Sequence, residues 1–263
     1  MTTDGSNSRT AIVVPCFDEA ARLDVSRLLD LGRLAGALVV AVDDGSTDAT
    51  GALLAVAAGE APASLTVVTL PANRGKGEAV RAGMRAALDG GAVIVGYYDA
   101  DHATPEAEMA RLVALLGDRP DLHVVLGARV GLLGHDIERS LWRHYLGRLY
   151  ATFSSAVLGL TVYDTQCGAK VFRNSPALRS ALAQPFTGRW SFDVELLGRL
   201  ARDGVPTAAF LEVPLQAWTD VHGSKLRPRG AISAAVDLAR VSVKLRRYPS
   251  GDQDRGRSNK PTV

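Results

Sequence analysis

Residues 38–50 read LVVAVDDGSTDAT, and this stretch shows how the chain is built. Five apolar residues are followed at once by two acids, a glycine and a polar segment, which is the pattern of a buried strand that leads through a turn into a helix. Ser46 or Thr47 is expected to cap a helix that begins near Asp48. Capping does not explain Asp43 and Asp44, because carboxylates at the end of an apolar strand cost free energy unless they bind something. The stretch therefore predicts a strand whose carboxyl end faces a ligand.

The same pattern recurs on both sides of this stretch. Short runs rich in β-branched residues occupy Ala11–Val14, Leu38–Val42, Leu65–Leu70, Val93–Tyr98 and His123–Leu126. Segments with helical periodicity, such as Glu78–Leu88 and Pro105–Leu116, lie between them. Strands that alternate with helices predict an α/β fold with a doubly wound, mostly parallel sheet covered on both faces. The ligand crevice of such a sheet lies beyond the carboxyl ends of its strands, where the polar motifs of this sequence fall.

The composition is that of a globular protein with a full core. The chain has 263 residues, is 47% hydrophobic and 22% charged, and has a net charge of +2, which gives no nucleic-acid signature. Two distant cysteines exclude a disulfide framework and favour a reducing, cytoplasmic compartment. The polar N-terminus does not resemble a signal peptide, and the longest charge-free stretch near a plausible membrane region, 149–163, is shorter than the ~20 residues of a membrane span. We predict a flexible segment 1–9, one domain over 10–248 and a disordered tail over 249–263, without a transmembrane helix.

Two further motifs follow strands and carry groups that suit a phosphorylated ligand. The first strand runs into VVPCFDEAARL (13–23), which by itself is ordinary turn and cap material. After the third strand comes NRGKGEAVRAGM (73–84), in which Gly75 and Gly77 are expected to expose backbone N–H groups and Lys76 adds a cation near a helix N-terminus. Val80 occupies the last small-residue position of a dinucleotide fingerprint, so a nicotinamide oxidoreductase is disfavoured.

The fourth strand ends in YYDADHATP (97–105). Asp99 and Asp101 are separated by one residue, so both carboxylates can reach one site as the chain turns. Two hard oxygen ligands, completed by phosphate oxygens and water, suit Mg²⁺ or Mn²⁺. The position of this pair in the series of strands predicts a metal-dependent site for a phosphorylated ligand.

The order PCFDE, DDGSTD, NRGKG and DAD resembles glycosyltransferase family 2. The second half reads GAR, ERSLWRHYLGRLY, DTQCGAKVFR, RWSFDVELL, EVPLQAW and GSKL, in the order of the dolichyl-phosphate β-glucosyltransferase branch, which is related to the dolichyl-phosphate mannose synthases. The likeness covers about residues 10 to 248. It implies the nucleotide-diphospho-sugar transferase (GT-A) variant of the doubly wound fold. Ala103 stands where mannose synthases often have a metal-binding glutamine, which favours the glucosyl branch.

The resemblance also implies roles for individual residues. The donor nucleotide sugar would be bound by Pro15, Phe17, Glu19, Asp43, Asp44, Lys76, Asp99, Ala100 and Asp101. The metal would be held by Asp99 and Asp101, and the acceptor phosphate by Arg129, Arg139 and Arg143. The catalytic set would be Asp101, Arg129, Arg139, Asp164 and Lys225. Arg139 and Arg143 are four residues apart, so they share a helix face.

The implied reaction is inverting transfer of a hexose, glucose from UDP-glucose, to a polyprenyl or dolichyl phosphate. One alternative is a transferase of the same fold that acts on a soluble hydroxyl acceptor, which would need a general base such as Asp193 or Glu195. A second alternative is a nucleotide-sugar-binding module without catalysis. The two aspartates of the DAD motif favour an enzyme.

Two segments of the second half are candidate membrane-interface helices. Residues 139–160 form an apolar stripe, with Trp142, Tyr145 and Tyr150 as candidates for the headgroup region. The second segment, 231–247, belongs to a basic cluster made of Lys225, Arg227, Arg229, Arg240, Lys244, Arg246 and Arg247. An apolar stripe and cations together predict peripheral binding to an anionic membrane surface. Packing on the domain core explains the stripe equally well, and a solvated helix face is the more common explanation of such a basic cluster.

Overall fold

The computed structural model describes residues 10–134, 136–138, 141–188, 191–219 and 228–248. Within these ranges the main sheet has the strand order β3-β2-β1-β4-β7-β5-β8. Its strands are β1 (Thr10–Cys16), β2 (Leu38–Asp43), β3 (Leu65–Thr69), β4 (Ile94–Tyr98), β5 (Val124–Ala128), β7 (Ala169–Arg173) and β8 (Phe210–Pro214). Two short strands, β6 (Asp136–Glu138) and β9 (Ala217–Thr219), pair in parallel beside it. The predicted α/β fold with a mostly parallel sheet is confirmed.

Helices cover both faces of the sheet. They are α1 (Val25–Ala35), α2 (Thr50–Glu60), α3 (Lys76–Asp89), α4 (Glu106–Asp118), α5 (Leu141–Leu158), α6 (Pro176–Ala183), α7 (Phe192–Arg202) and α8 (Pro228–Arg247). Successive strand residues point to opposite faces. Val13 therefore joins one hydrophobic core, with residues of α3, α6 and α7, whereas Ile12 and Val14 join the other, with residues of α1, α2 and α4. Burial on both faces explains why the strands read as continuous apolar runs.

One strand of the sheet departs from the parallel pattern. Strand β7 lies between β4 and β5 and is antiparallel to both. The residues that precede it, 164–168, therefore lie at the edge formed by the carboxyl ends of β4 and β5. Because a strand that returns through the middle of a sheet leaves no periodic signal of its own, the sequence did not predict this neighbour.

The expected helix caps after β2 are wrong. Helix α2 begins at Thr50, and its N-cap residue, Ala49, makes no side-chain capping bond. The carboxylate of Asp48 instead accepts a hydrogen bond from the Thr50 N–H at 2.9 Å. Ser46 and Thr47 make other contacts, with the loop that follows β1.

The apolar stripe of α5 divides between the protein core and the surface. Tyr150 and Val157 pack against the small core that α7 and α8 share, and the Tyr150 hydroxyl donates to Ser191 Oγ at 2.7 Å. Phe153 is 57% exposed. Tyr150 therefore packs inside the protein, contrary to its expected place at headgroup depth, while Phe153 faces outward. The side chains of Trp142 and Tyr145 lie outside the described residues.

No helix within the described part of the chain combines the length and the hydrophobicity that crossing a bilayer requires. The predicted segments 1–9 and 249–263 lie outside the described residues.

Candidate active site

The loops that follow β1 and β2 bind each other at the carboxyl edge of the sheet. Asp18 adopts a left-handed backbone conformation, with φ of 51°. Its N–H donates to Ser46 Oγ at 3.1 Å, and its carboxylate accepts from the Thr47 N–H at 2.8 Å. The Glu19 N–H donates to Thr50 Oγ1 at 2.8 Å. These cross-loop bonds explain the polar residues of DDGSTDAT as a support for the neighbouring loop.

Three residues of the predicted donor site, Pro15, Phe17 and Glu19, lie at the end of β1 and on the supported loop that follows it. Pro15 is in β1 beside Val42, and Phe17 is 40% exposed. Glu19 forms an ion pair with Arg22, in which Arg22 Nη2 donates to Oε1 at 2.6 Å. An exposed aromatic ring above the strand ends is suited to contact a base or a ribose.

Asp43 and Asp44 are both buried, and both accept hydrogen bonds from backbone N–H groups. Asp43 Oδ1 accepts from Ser46 N at 2.9 Å. The Asp44 oxygens accept from Arg74 N at 2.8 Å and from Gly75 N at 2.7 Å. The expectation that Gly75 offers its N–H to a phosphate is therefore wrong, because Asp44 already binds it. Asp44 holds the NRGKG loop in place beside the strand end.

The DAD motif lies at the end of β4 together with Lys76. The Lys76 ammonium is 2.6 Å from Asp99 Oδ1. Burial disfavours the Asp99 charge, but Lys76 and other nearby cations outweigh it and hold the pKa of Asp99 below its ordinary value. Burial and the charge of Asp99 raise the pKa of Asp101. Asp101 Oδ1 accepts from the Ala103 N–H at 3.1 Å, and Ala100 between the two acids is buried.

Gly168 of the DTQCG segment shapes the Asp99 side of this site. The Asp99 N–H donates to the Gly168 carbonyl at 3.1 Å. A Cβ atom on Gly168 would lie 2.6 Å from Asp99 Oδ1 and closer still to Oδ2, which is far below van der Waals contact. The carboxylate can occupy its position only because residue 168 has no side chain.

A buried ion pair lies beside the site. The Lys170 ammonium on β7 is 3.0 Å from Asp193 Oδ1, at the start of α7, and 5.2 Å from the centre of the Tyr97 ring. Burial lowers the pKa of Lys170 and raises that of Asp193. Lys170 was not predicted from the sequence. The available signal was a lysine inside the apolar strand AKVFR, since a lysine is almost never fully buried without a partner.

Arg129 and Asp164 form a bidentate ion pair at the end of β5. Arg129 Nε and Nη2 donate to the two Asp164 oxygens at 2.6 and 2.8 Å, and the guanidinium lies 5.3 Å from the centre of the Trp218 ring. Asp164 is positioned in turn by Glu212, whose Oε1 accepts its N–H at 2.6 Å. The structure thus brings together two residues of the predicted catalytic set.

Comparison with known proteins assigns the chain to a family. Residues 11–179 match the family model Glycosyl transferase family 2. The chain belongs to this family. It is therefore a glycosyltransferase, as the motifs implied.

Similar proteins extend the match beyond residue 179. A dolichyl-phosphate β-glucosyltransferase from Dictyostelium discoideum is 31% identical in an alignment of 261 positions that covers 93% of this chain and 76% of that protein. A dolichyl-phosphate β-glucosyltransferase from Mus musculus is 33% identical in an alignment of 242 positions that covers 86% of this chain and 72% of that protein. The crystal structure of glucosyl-3-phosphoglycerate synthase from Mycobacterium tuberculosis with Mn²⁺, UDP and glucosyl-3-phosphoglycerate is 19% identical, with a TM-score of 0.64, and the match covers 91% of this chain and 80% of that one. The last match confirms the GT-A fold.

The acids of the glycosyltransferase fit a divalent cation. Among the side chains that the structure describes, no three His, Cys, Asp or Glu residues are grouped to hold a metal ion. Asp99 and Asp101 provide two carboxylates, and Mg²⁺ sites commonly combine one or two carboxylates with substrate phosphates and water. Burial and the charge of Asp99 disfavour the ionised form of Asp101, and a divalent cation bound to both acids would reduce the repulsion between them.

Three predicted cations cannot be placed. Arg139 and Lys225 lie outside the described residues. Arg143 belongs to α5, but its side chain also lies outside them. The assignment of Arg139 and Arg143 to the acceptor phosphate and of Lys225 to the catalytic set stays a prediction.

The candidate bases for a hydroxyl acceptor are both engaged. Glu195 is fully buried, and its Oε2 accepts from the N–H groups of Thr187 and Gly188 at 2.7 and 3.1 Å. Its Oε1 accepts from Arg199 at 2.6 Å. The proposed role of Glu195 as a base is therefore wrong, because its oxygens are occupied away from solvent. Asp193 is buried against Lys170.

Proposed function

We propose that the enzyme transfers glucose from UDP-glucose to a polyprenyl or dolichyl phosphate, with inversion at the anomeric carbon. The observation that carries this proposal is the similarity to dolichyl-phosphate β-glucosyltransferases over 93% and 86% of the chain. If the similarity reflected donor binding alone, it would be confined to the first half of the chain, which contains the predicted donor residues. The aligned region also includes the second half of the chain, where the acceptor is expected to bind.

Arg129 is the described residue best suited to the acceptor phosphate. Its ion pair with Asp164 uses Nε and Nη2, and we infer that Nη1 binds a phosphate oxygen. Asp164 and the Trp218 ring hold the planar guanidinium in one orientation, so little conformational entropy is lost when phosphate binds. Arg139 and Arg143 would complete the phosphate site.

The arrangement suits an acceptor that is already ionised. A phosphate monoester has a second pKa near ~6, so at neutral pH its oxygen can attack the anomeric carbon without a general base. As that bond forms, the bond to the nucleoside diphosphate breaks, and the diphosphate leaves with the electron pair. Glu195 is unable to act as a base and Asp193 is bound to Lys170, which favours the phosphate over a hydroxyl acceptor.

Asp99 and Asp101 would hold Mg²⁺ or Mn²⁺ beside the leaving group. A bound divalent cation would neutralise charge that develops on the diphosphate. Lys76 would bind the same diphosphate as a second positive charge.

We also propose that the enzyme binds an anionic membrane surface without spanning it. Helix α8 exposes four cations in its last two turns, Arg240, Lys244, Arg246 and Arg247, together with the apolar Val236 and Val243. Phe153 of α5 adds a further exposed apolar side chain. Cations and apolar groups on neighbouring helices supply the two signals that stable peripheral attachment requires.

The test is release of nucleoside diphosphate from UDP-glucose, GDP-mannose and other sugar nucleotides, with a short-chain polyprenyl phosphate and Mg²⁺ or Mn²⁺. We expect release of nucleoside diphosphate that requires both the lipid phosphate and the metal and that is fastest with UDP-glucose. Release with hydroxyl acceptors alone would support the soluble-acceptor alternative. Binding of UDP with no release on any acceptor would support the non-catalytic alternative.

A further inference from the structure

Lys76 forms an ion pair with one of the two acids that are proposed to hold the divalent cation. Its ammonium is 2.6 Å from Asp99 Oδ1, and both side chains are about one third exposed. A divalent cation on Asp99 would be repelled by an ammonium at this distance. Either Lys76 moves when the cation binds or the two compete for the same carboxylate.

Asp99 is the fixed partner of the pair. Its carboxylate occupies the space that a Cβ atom on Gly168 would take, and its N–H donates to the Gly168 carbonyl. Lys76 has a flexible four-carbon stem and begins α3. The side chain that can leave the pair is therefore that of Lys76.

The position of Lys76 is unfavourable for the helix itself. The positive end of the helix dipole disfavours a cation in the first turn. The ion pair with Asp99 offsets this unfavourable position of the Lys76 ammonium. The stability of α3 therefore does not explain a lysine at this position, whereas an anionic group beyond the helix N-terminus does.

We propose that Lys76 is the resident counter-ion of Asp99 and moves to the diphosphate of the donor when a divalent cation binds. The inference rests on the proposed metal site and adds a coupling to it. Without nucleotide, the incoming cation has to displace Lys76 from Asp99. With nucleotide, the diphosphate accepts the ammonium, so nucleotide strengthens metal binding, and metal strengthens nucleotide binding by the same factor.

The experiment is a Mn²⁺ titration of the full chain followed by electron paramagnetic resonance, at low ionic strength, with and without UDP. Lys76→Met is compared with the wild type and with Arg85→Met, which removes an exposed cation from the same helix. Without UDP, we expect Lys76→Met to bind Mn²⁺ about tenfold more tightly than the wild type, because the competing ammonium is gone. UDP should then strengthen Mn²⁺ binding less in Lys76→Met than in the wild type or in Arg85→Met.

Several outcomes would overturn the inference. An unchanged or weaker affinity of Lys76→Met for Mn²⁺, with wild-type unfolding temperature, would show that Lys76 does not compete with the metal. Equal strengthening by UDP in all three proteins would refute the transfer to the diphosphate. Lys76→Gln serves as a second variant if Lys76→Met is unstable. Absence of a saturable Mn²⁺ site in every protein would instead refute the proposed metal site, and the inference with it.

Discussion

Replacing Gly168 with alanine should damage the metal site while leaving the fold in place. The new Cβ atom would lie 2.6 Å from Asp99 Oδ1, and carbon and oxygen atoms in contact are about 3.5 Å apart. The Asp99 carboxylate or the start of β7 therefore has to move by roughly 1 Å. The backbone at residue 168 does not require glycine, because Gly168 is not among the glycines with positive φ. The new Cβ atom therefore clashes with the Asp99 carboxylate and not with the backbone conformation of residue 168.

The size of the effect follows from that displacement. Overpacking in a folded protein costs about 1–3 kcal/mol, whereas a displacement of about 1 Å in a catalytic group can reduce the rate about 100-fold. We expect kcat/KM with the preferred sugar nucleotide to fall about 100-fold, and Mn²⁺ affinity to fall with it. The unfolding free energy should change only by the overpacking cost.

The control is Gly83→Ala in α3, which crowds the core away from the acids. A Cβ atom on Gly83 would meet Val13 and lie 2.7 Å from Val42 Cγ2. This variant should lose stability by a similar amount but retain Mn²⁺ affinity per folded molecule. Both variants are to be measured by denaturant unfolding, Mn²⁺ titration and nucleoside diphosphate release. If Gly168→Ala kept wild-type Mn²⁺ affinity and turnover, the proposed displacement of the Asp99 carboxylate would be refuted. If both variants lost the same Mn²⁺ affinity, the effect would be due to strain in the fold and not to the contact with Asp99.

Three further predictions concern individual charged groups. Asp101→Asn should reduce turnover about 100- to 1,000-fold if Asp101 stabilises the transition state through the cation; unchanged metal-dependent turnover would contradict this role. The same variant tests the raised pKa of Asp101. A carboxyl whose folded pKa lies above its unfolded pKa costs stability as the pH rises above the unfolded value of about 4, so the thermal midpoint of the metal-free wild type minus that of Asp101→Asn, both in EDTA, should fall as the pH is raised from there. A flat or rising difference would count against the raised pKa. Glu195→Ala should destabilise the fold by about 3–5 kcal/mol, because it removes the charged partner of the buried Arg199. At a low temperature at which the variant is still folded, its turnover per folded molecule should equal that of the wild type. A loss of turnover without a loss of stability would restore the assignment of Glu195 as a base.

The sequence was most informative where function depends on the end of a strand. The acids Asp43, Asp99 and Asp101 were located correctly because parallel strands place their carboxyl ends at one edge, whatever the details of packing. The resemblance to glycosyltransferase family 2 led to the family that the comparison then confirmed. Local periodicity also located the first five strands to within about two residues.

The sequence was least informative about which partner each polar group binds. Ser46 and Thr47 were expected to cap a helix, but they bind Asp18 across the gap between two loops. Glu195 was a candidate base on a polar-looking motif, but it binds Arg199 and two backbone N–H groups in the core. These partners are distant in the chain or depend on burial, so residue type and spacing do not specify them.

The sequence by itself determined the alternation of strands and helices in the first half of the chain, the edge at which the acids gather and the family, because these depend on local periodicity and motif order. Only the tertiary structure decided that β7 returns antiparallel between β4 and β5. That return places Gly168 against Asp99 and buries Lys170 beside Asp193. These contacts join residues 23 to 69 positions apart along the chain. The physical reason is that strand order is a global choice, made by the packing of the whole sheet, and no single segment encodes it.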